Sequence, residues 1–459
     1  NGWTASGYAG SWRVEEGQLV GEGPVSHLFY SGAVNQGSFR NFELEAEVLT
    51  RPGCNSGIYF HTKFQADGFP KKGFEVQVNN SALGEGAYRE RKRTGSLYGV
   101  RNVYQSLVRD DEWFRLKVAV RGKNVQIRLN GLLVVDYLEP DPPVIPPAQE
   151  TERFLDRGTF ALQCHDPGSK IRYRQIRVRP LPDSEDAGVR SFAADETFQK
   201  ILTLVRGNYP LIDWHVHFKP GFGLREAMTR SRRDGITYGF SANCGRLSQY
   251  RTDAQARGFL DSVSGEAAFV GMQAEGGDWM NHFLRDTCAR FDYIFNDGMI
   301  WTDEKGRWTR LYRPEDLGPI PDAEKFMDEH VARVVQMLAS QPIDIYAIPT
   351  YLPEAIAKNH ETLWTEARMK RVAQVAARNG VAIELSDRFR LPSEAFVRIA
   401  KEAGCKFALG TGNSGAEDLR RSEYGLEIIA RCDLKWTDLF LPGVFLARAV
   451  DRKASLLRS

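Results

Sequence analysis

Two groups of side chains in this 459-residue chain have types and spacings that could do chemistry. In the first, Glu75, Gln77 and Asn79 alternate with Phe74, Val76 and Val78. On a strand the apolar three would face a core and the polar three the opposite surface. The same period sets Tyr59 and His61 opposite Ile58 and Phe60, and gives Gln163 and His165 a common face. A carboxylate, amides, two imidazoles and tyrosines converging on one concave surface suit sugar hydroxyls, which need many donors and acceptors and an aromatic platform. In the second group, His215 and His217 of Asp213-Trp-His-Val-His217 project to one side of an extended chain, where both imidazoles could grip one ion. Glu275, Asp297, Glu384 and Asn413 stand at the ends of later apolar runs, so their oxygens could complete a site for a divalent metal such as zinc or manganese.

The elements that must position these groups follow two grammars. Residues 1–182 read as all-β. Phe42, Leu44, Ala46 and Val48 alternate with glutamates, and Phe114, Leu116, Val118 and Val120 repeat that period. Asn130-Gly131 is a two-residue hairpin turn. A β-sandwich or jelly roll is expected. The polar, Pro- and Gly-bearing stretch Pro180–Gly188 marks a boundary, and 183–196 reads as a linker. From 197 to 459, short apolar runs alternate with amphipathic segments: Pro210–Trp214, Ile236–Phe240, Ala267–Gln273, Phe291–Asn296, Ile343–Ile348, Val381–Leu385 and Cys405–Thr411. Seven strands alternating with helices predict a parallel (β/α) barrel, whose strand ends are where such folds place their chemistry.

Composition narrows the function classes. Lys+Arg number 61 against 59 Asp+Glu, so no overall charge points to nucleic acid. The Arg89–Arg93 run and Arg172, Arg174, Arg177 and Arg179 read as solvated faces, with Lys92 or Arg93 able to reach the polar sandwich face. No apolar run approaches the ~20 residues that span a bilayer. Six cysteines show neither zinc-ribbon nor disulfide spacing. His282, His330 and His360 read as ordinary surface or core histidines, and Asp303 and Asp344 have no positional argument. A small carbohydrate is the expected partner; the oligomeric state is open.

The series Asn55–Phe60, Gly73–Val78, Thr94–Gly99, Leu129–Gly131, Ala161–Gly168 and Arg174–Leu181 resembles the 3-keto-disaccharide hydrolase domain family, a concanavalin-like jelly-roll sandwich of sugar-degrading bacteria. The resemblance implies a 3-keto-glycoside substrate. Glu75 is then the candidate base, with His61 and His165 stabilising the enolate, protonating the leaving oxygen or holding a divalent ion. Asn55, Tyr59, Gln77, Asn79, Lys92, Tyr98 and Gln163 are candidate substrate contacts. Asp213–His217 is similar to the opening motif of the PHP (polymerase and histidinol phosphatase) family, metal-dependent phosphoesterases on a distorted seven-stranded barrel, and Glu275 sits where that family has a metal-bridging glutamate. Ile348 and Gly410–Ser414 depart from its pattern, so one retained ion and a degenerate scaffold are both open. Three functions remain: a 3-keto-glycoside hydrolase or lyase in the sandwich, a metal-dependent barrel hydrolase with a lectin-like sandwich, and a sugar-binding protein without catalysis. A periplasmic or secreted bacterial setting is expected, with the cytoplasm open.

Overall fold

The structure, a computed structural model, describes residues 2–82, 90–145, 152–184, 191–302, 307–444 and 446–458. Within it are two compact units, residues 1–208 with 232–235, and residues 209–231 with 236–459. The helix Glu196–Arg206, expected at the start of the barrel, belongs with the first unit: its Phe198 and Leu202 join the sandwich core. Its apolar stripe is visible in sequence, but a stripe does not say which core it enters. Part of the expected linker, residues 185–190, lies outside the described residues, as do Arg89 and Asp303.

The first unit is a sandwich of two antiparallel sheets. Its strands in chain order are β1 Trp3–Gly7, β2 Trp12–Glu15, β3 Gln18–Glu22, β4 Ser26–Tyr30, β5 Asn41–Thr50 and β6 Ser56–Thr62. There follow β7 Phe74–Val78, β8 Phe114–Arg121, β9 Asn124–Leu129, β10 Leu132–Leu138, β11 Thr159–Cys164 and β12 Lys170–Leu181. One sheet runs β1-β4-β11-β6-β7 and the other β10-β9-β8-β5-β12-β3-β2. The alternation at Phe42–Val48 is borne out: these side chains are buried in β5 and meet Ile58, Phe60, Phe74 and Val76 of the facing sheet in one core. Each buried Phe, Leu, Ile or Val side chain here contributes about 1.5–3 kcal/mol. Glu43 and Glu47 point outward and pair with Arg121, Arg179 and Arg174, while Arg172 pairs with Glu15. The Asn130-Gly131 turn takes positive φ at both residues (49° and 90°), as its twist demands.

The second unit is a closed barrel of seven parallel strands: β13 Ile212–Val216, β14 Thr237–Cys244, β15 Phe269–Ala274, β16 Tyr293–Asn296, β19 Ile345–Tyr346, β20 Ala382–Ser386 and β21 Phe407–Gly410. Each overlaps a run read from sequence, with β13, β14, β15 and β20 extending past the end of theirs. The short strands β17 Ile300–Thr302 and β18 Trp308–Arg310 form a separate antiparallel pair. Helices Ala323–Ser340, Glu366–Arg378 and Glu394–Glu402 begin at side-chain caps from Asp322, Thr365 and Ser393. All six cysteines are free and buried, and no helix among the described residues is long and apolar enough to cross a membrane.

Candidate active site

On the five-stranded sheet, register fixes which residues share the outer face. Tyr59 pairs with Glu75 and Gly57 with Gln77 across β6 and β7. Ala161 pairs with Tyr59, and Gln163 with His27 of β4. His27, Gln163, Tyr59, Glu75 and Gln77 therefore point one way, while Leu28, Leu162, Ile58, Phe74 and Val76 enter the core. The segment 94–98 covers the edge of β7, through Gln77 N–H to Ser96 O and Tyr98 N–H to Glu75 O. The five outward side chains are themselves buried, and Glu75 is only 6% exposed.

Glu75 is held from one side. Tyr59 donates its hydroxyl proton to Glu75 Oε2 at 2.8 Å, and Gln163 Nε2 donates to the Tyr59 oxygen at 3.1 Å. The other carboxylate oxygen, Oε1, lies over Gly57, where an added Cβ would come within 2.3 Å of it. Burial pushes the Glu75 carboxyl up to about 7, against the lowering effects of the Tyr59 hydrogen bond and the Arg153 charge. A carboxylate poised there is suited to proton transfer near neutral pH. Nearby, Lys92 Nζ lies 3.1 and 3.2 Å from the Glu90 carboxylate oxygens and 4.0 Å above the Tyr98 ring. Tyr98 donates to Glu90 Oε2 at 2.8 Å. Burial lowers the Lys92 ammonium, and Glu90 opposes that shift.

The expected residues divide accordingly. Glu75, Tyr59, Gln163, Lys92 and Tyr98 come together. Gln77 donates to Asn55 Oδ1 at 2.9 Å, placing that pair beside them. Asn79 serves the scaffold instead: its amide donates to the carbonyls of Glu90 and Lys92 and its Oδ1 accepts from Ala82 N–H.

His61 is a correction. It is fully buried, with its ring against Phe42 and Phe60 on the core side. Nε2 faces Arg40 O at 2.8 Å, and Nδ1 accepts from Asp156 N–H at 3.2 Å. The cause is a bulge: β6 advances from Tyr59 to Thr62 while β11 advances only from Ala161 to Thr159, and His61 takes φ 53°. The extra residue reverses the alternation. Gly73 and Gly158 make room for it; a Cβ on either would lie within 2.4 Å of Phe60 to Thr62 backbone. His165 lies past the end of β11, half-buried, with Nδ1 2.9 Å from Asp166 Oδ2 and its ring 5.3 Å from Phe69.

Glu90, Arg153, Gly57 and His27 were not singled out from sequence. Glu90 sits in a charge run that reads as solvated, whereas it and Lys92 are buried together. His27 alternates with Leu28 in a short strand, a signal available but weak.

Inside the barrel, the polar residues at the strand ends form a separate network. His215 Nδ1 lies 3.0 Å from Glu384 Oε2, and its Nε2 3.3 Å from Gln273 Oε1. Gln273 donates to Asp297 Oδ2 at 3.2 Å, and Asn243 donates to both Gln273 and Glu275. Burial lowers the His215 imidazolium, but the Glu384 charge outweighs it and the net shift is upward. Burial and the neighbouring His215 push His217 well down. Asp297 is raised to about 6 by burial and by the Glu275 charge. Asn413 clamps the backbone of His217, accepting its N–H at 2.7 Å and donating to its carbonyl at 3.1 Å. Asp213 holds Thr411 and the N–H of His215. Among the described residues no three His, Cys, Asp or Glu side chains are arranged to hold a metal ion. With Asn413 engaged by backbone and the Gln273 amide between His215 and Asp297, the six expected ligands do not fit one ion in this arrangement.

A buried carboxylate among tyrosine, lysine and amides on a sandwich sheet defines a polar-ligand site of the kind carbohydrate-acting proteins use. Residues 1–179 match the family model of the 3-keto-alpha-glucoside-1,2-lyase-like domain, which supports a carbohydrate-related function for this unit. Solved structures similar to the chain include two named "putative glycosyl hydrolase" from Parabacteroides distasonis. One is 19% identical, with TM-score 0.34, covering 39% of this chain and 89% of that one. The other is 21% identical, with TM-score 0.32, covering 39% and 100%. The carbohydrate-binding module CBM66 from Bacillus subtilis is 15% identical, with TM-score 0.26, covering 39% and 95%. No curated protein matches the chain.

Proposed function

We propose that the sandwich cleaves the glycosidic bond of 3-keto-glycosides, with Glu75 as the base. The observation that carries this is the buried Glu75 carboxyl, raised to about 7 and fixed by Tyr59 so that Oε1 is the oxygen presented. A ketone at C3 acidifies the C2–H bond. Glu75 Oε1 takes that proton, and the electron pair passes into the enolate, whose C3 oxygen Lys92 stabilises as a cation. The enolate then expels the C1 oxygen, which leaves with a proton as the aglycone; His165, oriented by Asp166, is the donor on that side. Water adding across the resulting C1–C2 double bond returns a proton to C2 and a hydroxyl to C1, completing net hydrolysis. Release of the enone without that addition would make the reaction a lyase. Because the base must be ionised, kcat/KM is expected to rise with pH and level off above about 7. A profile that is flat through this range in the wild type contradicts the assignment.

The position of Gly57 gives a second test. A Cβ at Gly57 would meet Glu75 from Cγ to Oε1 at 2.3–2.9 Å and no backbone among its three nearest atoms, so Gly57→Ala is expected to displace the carboxylate by moving that side chain. A misplacement of this kind is expected to cost roughly 10²-fold in turnover. An unchanged circular dichroism spectrum and melting curve would separate that loss from misfolding.

A second reading concerns the barrel, whose buried His215–Glu384 pair lies at the strand ends where α/β folds place chemistry. PHP kinship and a divalent ion belong to this reading, resting on the Asp213–His217 motif and the seven-stranded closure. Chelation distinguishes the two. Protein dialysed against EDTA is expected to release aglycone from a 3-keto-disaccharide as fast as untreated protein. Loss of that activity, restored by zinc or manganese, would favour the metal-dependent reading.

A further inference from the structure

In the barrel unit, the chain leaving β15, the hairpin β17–β18 and the helix Ala323–Ser340 bound a cleft of about 320 Å³. None of the side chains in the His215–Glu384 network lines it. Its volume is about ten times the ~30 Å³ share of one water and falls within the roughly 300–1,000 Å³ of small-ligand sites.

Arg333 is the charge that this cleft leaves unbalanced. Its guanidinium carbon lies 4.3 Å from the centre of the Trp301 ring, and Nε is buried without a hydrogen bond. Glu329, one turn back on the helix, comes only to 3.7 Å, and its side chain is 54% exposed. Burial lowers the guanidinium by more than Glu329 raises it, so the cation is short of a counter-charge. Water satisfies a hydrogen bond but brings no charge to balance this one.

Two more lining residues each have a buried oxygen with no hydrogen bond, Thr302 Oγ1 and Asp278 Oδ1. The Thr302 hydroxyl is able to donate; Asp278, as a carboxylate, only accepts. Its other oxygen, Oδ2, already has Arg246 at 3.4 Å and His282 at 3.5 Å. The group that meets Oδ1 is therefore a neutral donor, a hydroxyl rather than an ammonium. One guanidinium helped by one neutral hydroxyl matches a single negative charge, a carboxylate rather than a phosphate dianion. Ile300, Val334 and Met337 give the cleft an apolar wall for a carbon skeleton. A sugar acid combines the carboxylate, the hydroxyls and the C–H face that these groups call for.

We infer that this cleft binds a sugar acid of hexuronate size, with its carboxylate on Arg333 and Thr302 and a hydroxyl on Asp278. The site is distinct from the sandwich, and it rests neither on Glu75 as a base nor on a metal ion in the barrel. Gly276 and Gly298 line the cleft and directly follow Glu275 and Asp297 in the chain. An occupant therefore touches the backbone next to the strand-end network.

Isothermal titration of the full chain tests this with D-glucuronate, with D-glucose, which lacks the carboxylate, and with acetate, which lacks the ring. Glucuronate is expected to bind saturably, about tenfold or more tighter than either. Arg333→Gln, which removes the charge and keeps a polar side chain, should weaken glucuronate about tenfold or more. Gln336→Trp, at an exposed lining position, should weaken it similarly by filling the cleft with Arg333 still in place. Melting curves without ligand separate either loss from misfolding. Glucuronate bound no tighter than glucose or acetate, or an affinity that Arg333→Gln leaves unchanged, would overturn the proposal.

Discussion

Glu75→Gln is expected to lower turnover of a 3-keto-disaccharide by roughly 10³-fold, the scale of removing a positioned general base. Glutamine keeps the shape and can still accept from Tyr59, so the loss reports proton transfer rather than packing. The same substitution should stabilise the protein above neutral pH. Between the ordinary value of 4.5 and about 7, the folded Glu75 holds a proton that the unfolded chain has released. Stability therefore falls as pH rises through that window and levels off above it. A shift of this size corresponds to roughly 3 kcal/mol of folding free energy given up to keep an ionised carboxylate buried. Urea denaturation should find Glu75→Gln more stable than wild type at pH 8 and little different at pH 4. Equal stability at both pH values would mean that Glu75 is solvated as usual, and the argument for it as a tuned base would go with it.

Lys92→Met is the second large effect, and it acts in two ways. Removing the cation takes away the charge that stabilises the enolate, with an expected loss of about 10²–10³ in kcat. It also strands Glu90, whose side chain is 7% exposed and whose carboxylate Lys92 neutralises. Breaking a buried pair from one side costs about 3–5 kcal/mol. The double variant Lys92→Met with Glu90→Gln separates the two roles. Neutralising both partners should return most of the stability, measured by denaturation, and none of the turnover. Recovery of turnover along with stability would make Lys92 a structural residue and leave the enolate without its cation.

Much of the frame was legible in sequence, for reasons that are local. The alternation in Phe42–Val48, the Asn130-Gly131 turn and the seven apolar runs of the barrel each follow from periods and turn chemistry contained in a few residues. That Tyr59 and Glu75 share a face followed from the same alternation, while their pairing is set by the register of β6 on β7. What escaped depends on distant parts of the chain. His61 turns inward because of a bulge opposite β11, accommodated by glycines at 73 and 158 that no local pattern connects to it. Glu90 and Lys92 read as a solvated charge run, yet Asn79 ties their backbone down on the sheet and buries them as a pair. In the barrel, Glu275, Asp297 and Asn413 follow their strands while Glu384 lies inside β20, and the sequence could not show that Asn413 would clamp backbone or that the Gln273 amide would stand between His215 and Asp297. Strand ends give position; partners are set by the closed barrel.

The central claim is that the chemistry begins with loss of the C2 proton to Glu75. Its most direct test follows a 3-keto-disaccharide by NMR in D2O with the full chain, alongside Glu75→Gln and His215→Ala. The account predicts aglycone release with deuterium entering at C2 of the hydrated product, abolished in Glu75→Gln and intact in His215→Ala. Release without deuterium at C2, or activity that survives Glu75→Gln and disappears with His215→Ala, would contradict it and move the reaction to the barrel.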